Sequence, residues 1–518
     1  MHVAWIVGGA SAAAAVGLAV VVRTRWLESR TLEKCIGISL AVHASLGVVC
    51  ALVGGLSPAS WGTRDEGRTA MQVVVSVDEE SPAVAEGDDV AGEAREAAEA
   101  EATVAAAGAA RAEHEPPDLV PLLDAGEEPT ESQASATAVP AAERPRDGEQ
   151  PAAGAARVPA IYADRIGARR AAAAAARGGS QETERAVEAA LAWLAAAQAA
   201  DGRWSAAAHG AGRGRGGQHR AETGARSDHG VTALAVLAFL GAGSTHRDGP
   251  YAAVVDRGVE FLVARQRADG SLAGEAEFFA ALYCHGMATL AVAECVALTG
   301  DTALGPALDR AVRHTLSMQH PATGGWRYAA GDRGDTSQLG WQVMALESAA
   351  QAGIGGLEPA RARARVFLAG VSSGAAGGLA SYRVGERPSV AMTAEALVCR
   401  LFLGLPAGHP ATAEALGAIG RAPPDRATFN SYTWYYATLA SFHAGGPQWD
   451  EWNRRLQSAL VPLQRRDGGA LDGSWDPDPV WGGHGGRVYA TALSALTLEV
   501  YYRHVPMHER AARMAAAP

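Results

Sequence analysis

The chain has 518 residues, 48% hydrophobic and 19% charged, which leaves room for more than one domain. Its net charge of −11 is concentrated: 18 acidic residues between Asp78 and Glu143 face only Arg95 and Arg111, and no stretch has the basic character of a nucleic-acid partner. The five cysteines form no CxxC or similar pair, so neither a disulfide scaffold nor a structural zinc site is indicated.

Residues 1–60 read as a transmembrane helical hairpin. Trp5 to Val22 and Ile36 to Leu56 are apolar runs of about membrane-spanning length. Arg23, Arg25, Arg30 and Lys34 lie between them, and basic residues in a short loop favour the cytoplasmic side. The expected partner of this part is therefore the lipid bilayer of a bacterial-type inner membrane, crossed twice. Everything after it would be extracytoplasmic, that is, periplasmic. A cleaved signal peptide fits the first run less well, because no basic residue precedes it.

Residues 61–177 are rich in Ala, Glu and Pro and nearly free of aromatic side chains. Such a segment cannot bury enough apolar surface to offset its ordering entropy, so a disordered acidic linker is expected.

From 178 to 510 the pattern repeats about every 50 residues. One class of segment is amphipathic and ends in a glycine-containing loop: Glu184–Gln198, Val254–Gln266, Leu308–Gln319 and Trp452–Gln464, with Glu358–Ala369 and Ala411–Ile419 as weaker members. The second class is apolar nearly all round: Gly230–Leu240, Tyr283–Leu298, Thr336–Ala350, Val390–Leu403, Tyr432–Phe442 and Val488–Tyr501. Equal numbers of the two kinds, with terminal repeats like the internal ones, predict an all-α closed ring: a single (α/α)6 toroid with the apolar set as inner wall. Residues 511–518 form a tail.

The loop Gln198-Ala-Ala-Asp-Gly202-Arg-Trp204 resembles the Q-x3-G-x-W repeat of squalene cyclases and related terpenoid cyclases. Gln266–Leu272, Gln319–Trp326 and Gln464–Trp475 look like modified copies. The resemblance spans about 330 residues and implies the toroid fold of the terpenoid-cyclase and protein-prenyltransferase type. In squalene-hopene-type cyclases a D-x-D-D-T motif supplies the proton donor. The string Asp332-Arg333-Gly334-Asp335-Thr336 matches it at the first and fourth positions but has glycine at the donor position. The zinc ligands of prenyltransferase β subunits have no full counterpart, since Asp472-Gly473-Ser474 carries serine in place of the thiolate. No metal or other cofactor is implied.

Residues at the start of inner helices face the expected ring mouth. Asp335, Asp332, His229, His285 and Glu395 are the candidate catalytic groups, and Asp335 is also a natural helix N-cap. Trp341, Trp434, Tyr435, Tyr489 and Tyr283 are the candidate ligand-binding aromatics, of the kind that suits an isoprenoid-like small molecule. Three functions stay open: an enzyme or binder of an apolar ligand, a non-catalytic scaffold for an envelope protein partner, and a carbohydrate-active ring. The last would need paired carboxylates across the mouth, for which Asp335, Glu395 and Glu347 are the candidates.

Overall fold

The computed structural model describes residues 158–213, 223–507, 509, 510 and 513. The expected membrane hairpin, and the linker as far as residue 157, lie outside the described residues.

Past residue 178, six pairs of helices follow one another among the described residues. The amphipathic members are α2 (Gln181–Ala197), α4 (Ala252–Ala264), α6 (Gly305–Met318), α8 (Glu358–Gly370), α10 (Pro410–Gly420) and α12 (Pro447–Leu460). The apolar members are α3 (Asp228–Gly241), α5 (Phe278–Thr299), α7 (Thr336–Gln351), α9 (Val390–Phe402), α11 (Ser431–Ala444) and α13 (Gly482–Leu498). Each apolar helix packs on the next, and α13 returns to pack on α3, so the inner wall closes. The amphipathic helices line the outside of that wall. The one described helix long and apolar enough to cross a membrane is α5, 22 residues, and it belongs to the inner wall. A short antiparallel hairpin, β1 (Ser372–Ser373) with β2 (Leu379–Ala380), interrupts the helices between α8 and α9.

The repeated loop explains why the ring closes. Gln198 Nε2 donates to Gly202 O of its own loop and to Val254 O in the first turn of the next outer helix, both at 2.9 Å. Gln266 does the same to Gly270 O and Ala307 O, and Gln319 to Gly324 O and Ala360 O. Gln464 donates to Gly473 O (2.8 Å) and to Ala186 O (2.7 Å), which lies in the first outer helix. Each glutamine therefore staples one outer helix to its successor, and the last staple joins the end of the series to its beginning. Gly202, Gly270, Gly324 and Gly473 all take positive φ, and a Cβ at any of them would run into backbone of the following outer helix. The indole N–H groups of Trp204, Trp326 and Trp475 donate back to Leu194 O, Thr315 O and Leu460 O at 2.7–2.9 Å. The tryptophan thus covers the end of the preceding outer helix.

Twenty residues of the expected linker are structured. Residues 160–165 form a 3₁₀ turn and α1 (Ala168–Ala176) follows, both packed on the last inner element, α14 (Val500–Arg503). The alanine-rich composition suggested disorder, but three arginines and a tyrosine anchor this strap. Arg165 is fully buried and ion-paired to Glu294 of α5 at 2.6 Å, and Arg503 pairs with the other oxygen of Glu294 at 3.0 Å. Arg177 donates to Tyr501 O at 2.7 Å and Arg170 to Ala242 O at 3.2 Å. The Tyr162 hydroxyl donates to Ser348 Oγ of α7 at 3.0 Å.

Candidate functional site

All six inner helices run the same way. Residues near their N-terminal ends, including Gly230, Tyr283, Ser337, Met392, Tyr432 and Tyr489, line one cavity of about 170 Å³. Their C-terminal halves contribute Glu294, Glu347, Phe402 and His443 to a second, smaller one of about 40 Å³, beside Tyr162 of the strap. The ring thus has a mouth, where helices begin, and a strapped end, where they finish.

The mouth cavity is mostly apolar and aromatic. Tyr283, Trp341 and Tyr489, singled out from the sequence, line it together with Phe279, Tyr328, Tyr382, Tyr432 and Trp481. It is smaller than the several hundred Å³ usual for small-molecule sites. The floor is filled by rings: Trp341 stacks on Tyr435 with centroids 6.0 Å apart and packs edge-on to Tyr436 at 5.9 Å. Tyr435 therefore supports the wall from behind rather than lining the cavity. Trp434 does not line it either; it is buried edge-on to Phe429, with centroids at 5.2 Å. Helix α11 turns Tyr432 to the cavity and these two neighbours elsewhere.

Asp335 is the N-cap of α7, as its position before an apolar helix suggested. Its Oδ1 accepts from the Gln338 N–H at 2.8 Å and from the Ser337 hydroxyl at 2.9 Å; its Oδ2 accepts from Tyr382 at 3.2 Å. Arg327 lies 3.5 Å away. Burial pushes the carboxyl up to about 6, against the opposing pull of Arg327 and these hydrogen bonds. The carboxyl reaches the cavity only through other groups: Ser337 is bonded to Tyr283, and Tyr382 to Tyr328 at 2.8 Å.

Gly334, at the donor position of the cyclase motif, has φ +102 and is wedged against Gly325 and Phe367. A Cβ there would lie 2.5 Å from Gly325 Cα, so an aspartate has no room in this backbone. Asp332 sits in a partly exposed turn, accepts from the Ala329 N–H at 2.9 Å, and does not line the cavity.

Glu395 is fully buried in α9. One carboxyl oxygen accepts from the Gly340 N–H at 3.1 Å and the other is bonded to the Tyr432 hydroxyl. Burial raises its pKa well above the ordinary range, with the Tyr432 hydroxyl opposing. Like Asp335, which is bonded to the lining residues Ser337 and Tyr382, it stands one side chain from the cavity, behind Tyr432.

The two histidines face away from the mouth. His285 Nδ1 accepts from the Leu272 N–H at 3.0 Å, and Nε2 pairs with Thr315 Oγ1 at 2.8 Å. In the first and last repeats the same job falls to Thr232 and Thr491, whose hydroxyls accept from the backbone N–H groups of Trp204 and Trp475. His285 is thus a repeat staple, and burial holds it down to about 3. His229 is buried against Phe261 of α4, with centroids at 4.8 Å, and burial with Arg265 and Arg267 lowers it to about 4. Adjacent positions on α3 point to different faces, so helix-start location alone did not aim it at the cavity. Glu347 lies at the strapped end, 3.1 Å from Arg361, so no carboxylate pair formed with it spans the mouth.

Sequence reasoning missed Tyr328, Tyr382 and Tyr432 as cavity residues. The available signal was an aromatic residue in or just after the loop that precedes an inner helix. Cys284 also lines the cavity, and burial pushes its thiol up to about 12. Among the described residues no group of three His, Cys, Asp or Glu side chains could hold a metal ion.

No curated protein matches the sequence. Among solved structures, the α-1,6-mannanase GH76A of Salegentibacter sp. HEL1_6 matches at 12% identity, with a TM-score of 0.44, over 62% of this chain and 98% of that one. An inactive variant of that mannanase in complex with α-1,6-mannotriose matches at the same identity and score, with 99% of its chain covered. Likeness of that degree says nothing about substrate. Residues 161–285 match the family model of the squalene-hopene cyclase C-terminal domain, and the ring is a toroid of this terpenoid-cyclase-like kind.

Proposed function

We propose that this cyclase-like ring binds an apolar ligand of isoprenoid type, and that residues 1–60 hold it at a bilayer with the ring on the extracytoplasmic side. The observation that carries the ligand reading is the aromatic cavity at the mouth, bounded by Trp341, Tyr283, Tyr432 and Tyr489, with no lysine or arginine among the described residues that line it. Such a wall favours apolar surface and ring-face contact over charged groups. The same cavity distinguishes this reading from a scaffold for an envelope partner, for which a centre closed by Ala and Leu and a contiguous exposed apolar patch are expected. Among the described residues the large exposed hydrophobic side chains are Ile166, Val366 and Val384. The bilayer is the nearby source of such a ligand, and the membrane placement rests on the apolar runs at 5–22 and 36–56.

The test is native mass spectrometry of the full chain in detergent, purified from a lipid-rich bacterial host, followed by organic extraction. An isoprenoid mass that co-purifies and is lost in Trp341→Ala and in the rim variant Tyr489→Ala supports the reading. A clean protein mass with no uptake of added squalene or polyprenyl lipid overturns it.

A further inference from the structure

The outer wall is not closed evenly. Glutamine staples join α2 to α4, α4 to α6, α6 to α8 and α12 to α2. Between α8 and α10 the Glu414 carboxylate takes over, accepting from the N–H groups of Ala375, Ala376 and Gly378 in the hairpin turn. Neither device crosses from α10 to α12. Helix α10 stops after 11 residues and runs into Arg421-Ala-Pro-Pro-Asp425, where proline ends the helix and no glutamine follows. Arg426 reaches Ser458 O of α12 at 3.2 Å, and a groove of about 310 Å³ is left between the two helices.

Leu416 and Ile419 of α10, Ser441 of α11 and Trp452 of α12 form the buried floor of this groove. The Trp452 indole N–H donates to Thr438 Oγ1 at 2.9 Å, which fixes the ring in place. Pro447, Gln448, Glu451 and Arg455 form an exposed rim along α12. Glu451 is paired twice, to Arg454 at 2.7 Å and to Arg455 at 2.5 Å. In the bordering stretches 420–426 and 447–455, Arg421, Arg426, Arg454 and Arg455 stand against three acidic residues, a small positive excess.

One part of the acidic linker complements this groove. Residues 113–128 read EHEPPDLVPLLDAGEE, with six acidic residues and no lysine or arginine. Leu119, Leu122 and Leu123 are the only leucines between Leu56 and Leu191. Their i, i+3, i+4 spacing is that of the anchors of groove-bound helices. Asp118 before them suits an N-cap, and Pro121 then falls in the first turn, where no intrahelical N–H is needed. Asp124 and Val158 are 34 positions apart. An extended chain of that length reaches up to about 110 Å. A globule of about 350 residues has a radius of gyration of roughly 20 Å, so every face of the ring is within reach.

We propose that residues 118–124 of this chain dock in cis into the groove between α10 and α12, with the leucines on Ile419 and Trp452 and the flanking acids towards the rim arginines. The interaction stands apart from the mouth cavity and does not depend on the ligand reading. It covers the one junction of the outer wall that neither staple nor carboxylate spans.

The experiment measures binding of a labelled peptide with the sequence of residues 113–128 to the full chain in detergent. The unmodified chain is expected to bind it weakly, because its own segment holds the groove. Leu122→Asp with Leu123→Asp frees the groove, and the peptide then binds on the order of tenfold tighter or more, since a segment in cis competes at an effective concentration of about a millimolar. In the freed chain Gly420→Trp fills the groove and returns binding to the weak level. A Cβ at Gly420 meets nothing within 4 Å, so the ring has room for that change. Arg455→Glu weakens the peptide more than a version whose six acids are glutamine, whereas loss of structure weakens both alike. Equal binding to the unmodified and freed chains, no binding to the freed chain, or binding that survives Gly420→Trp overturns the proposal. A dimer of the unmodified chain that dissociates on the leucine substitutions assigns the segment to the groove of a second copy and overturns docking in cis.

Discussion

The two ends of the ring meet opposite electrostatic demands. At the mouth the inner helices present unpaired N–H groups, and short side chains satisfy them: Asp335 caps α7, Ser389 caps α9 and Asn430 caps α11. At the far end the helices present carbonyls, and arginines satisfy those: Arg165 reaches Arg503 O, Arg177 reaches Tyr501 O, and Arg361 reaches Phe402 O. A parallel inner wall thus has a side with compact caps, where space is left for a cavity, and a side packed with long cations. The strapped end holds charge and stability, while the mouth holds neutral hydroxyls and room.

If that division is right, the largest loss of stability comes from the strap. Arg165→Ala leaves Glu294 buried with one guanidinium instead of two and is expected to cost roughly 3–5 kcal/mol by urea unfolding of the full chain. A cost below about 1 kcal/mol would mean that the strap is an ornament on the ring.

Glu499 sharpens the comparison through pH. It is fully buried beside Gly241 of α3, and burial raises it to about 8 despite Arg503 and Arg170. Its ordinary value is 4.5, so the folded chain holds a proton that the unfolded chain has released between these limits. Stability should therefore fall as pH rises from about 4.5 to about 8 and level off above that. Glu499→Gln should flatten this slope and raise the unfolding free energy at pH 9 relative to the unmodified chain, by an amount on the order of a few kcal/mol. Identical slopes in the two proteins would show that Glu499 ionises freely.

A smaller effect is expected from Gln464→Ala. It removes the staple that closes the outer wall and strands the Ala186 and Gly473 carbonyls, at a cost of roughly 1–3 kcal/mol. The corresponding change at Gln266 costs a similar amount, but only the Gln464 variant should speed hydrogen exchange in both α2 and α12. The smallest effect belongs to Asp332→Asn. That residue bonds within its own turn, so stability should change by less than about 0.5 kcal/mol and ligand uptake should be unchanged. A loss of uptake would return the cyclase-like string to the site.

Much of the fold was readable from local pattern. The all-apolar segments, the glycine stops and the Q-x3-G-x-W copies predicted the alternating walls, and the observed ends agree to within a few residues for most helices. Gly486 breaks the helical geometry of α13 at φ +72, so the continuous inner helix begins just after it, beside Val488 where the pattern placed its start. The site was less legible. Trp434, Tyr435 and Tyr432 sit within four positions on one helix, yet only Tyr432 lines the cavity. A segment apolar on every face carries no moment to say which side chain points inward. His229 does sit at the start of α3, but His285 lies two turns into α5, and their partners are outer-wall groups distant in sequence, Phe261 and Thr315.

Sequence alone determined the ring, because helix period, helix stops and a repeated staple are local properties that recur with each copy. Tertiary structure decided the rest. It showed that residues 160–177 strap the far end, because the partners of Arg165 lie 129 and 338 positions away. It closed the donor position at Gly334 by packing it on Gly325 and Phe367. It also set a buried Glu395 behind Tyr432, since burial and proximity across three helices are not written at any one position.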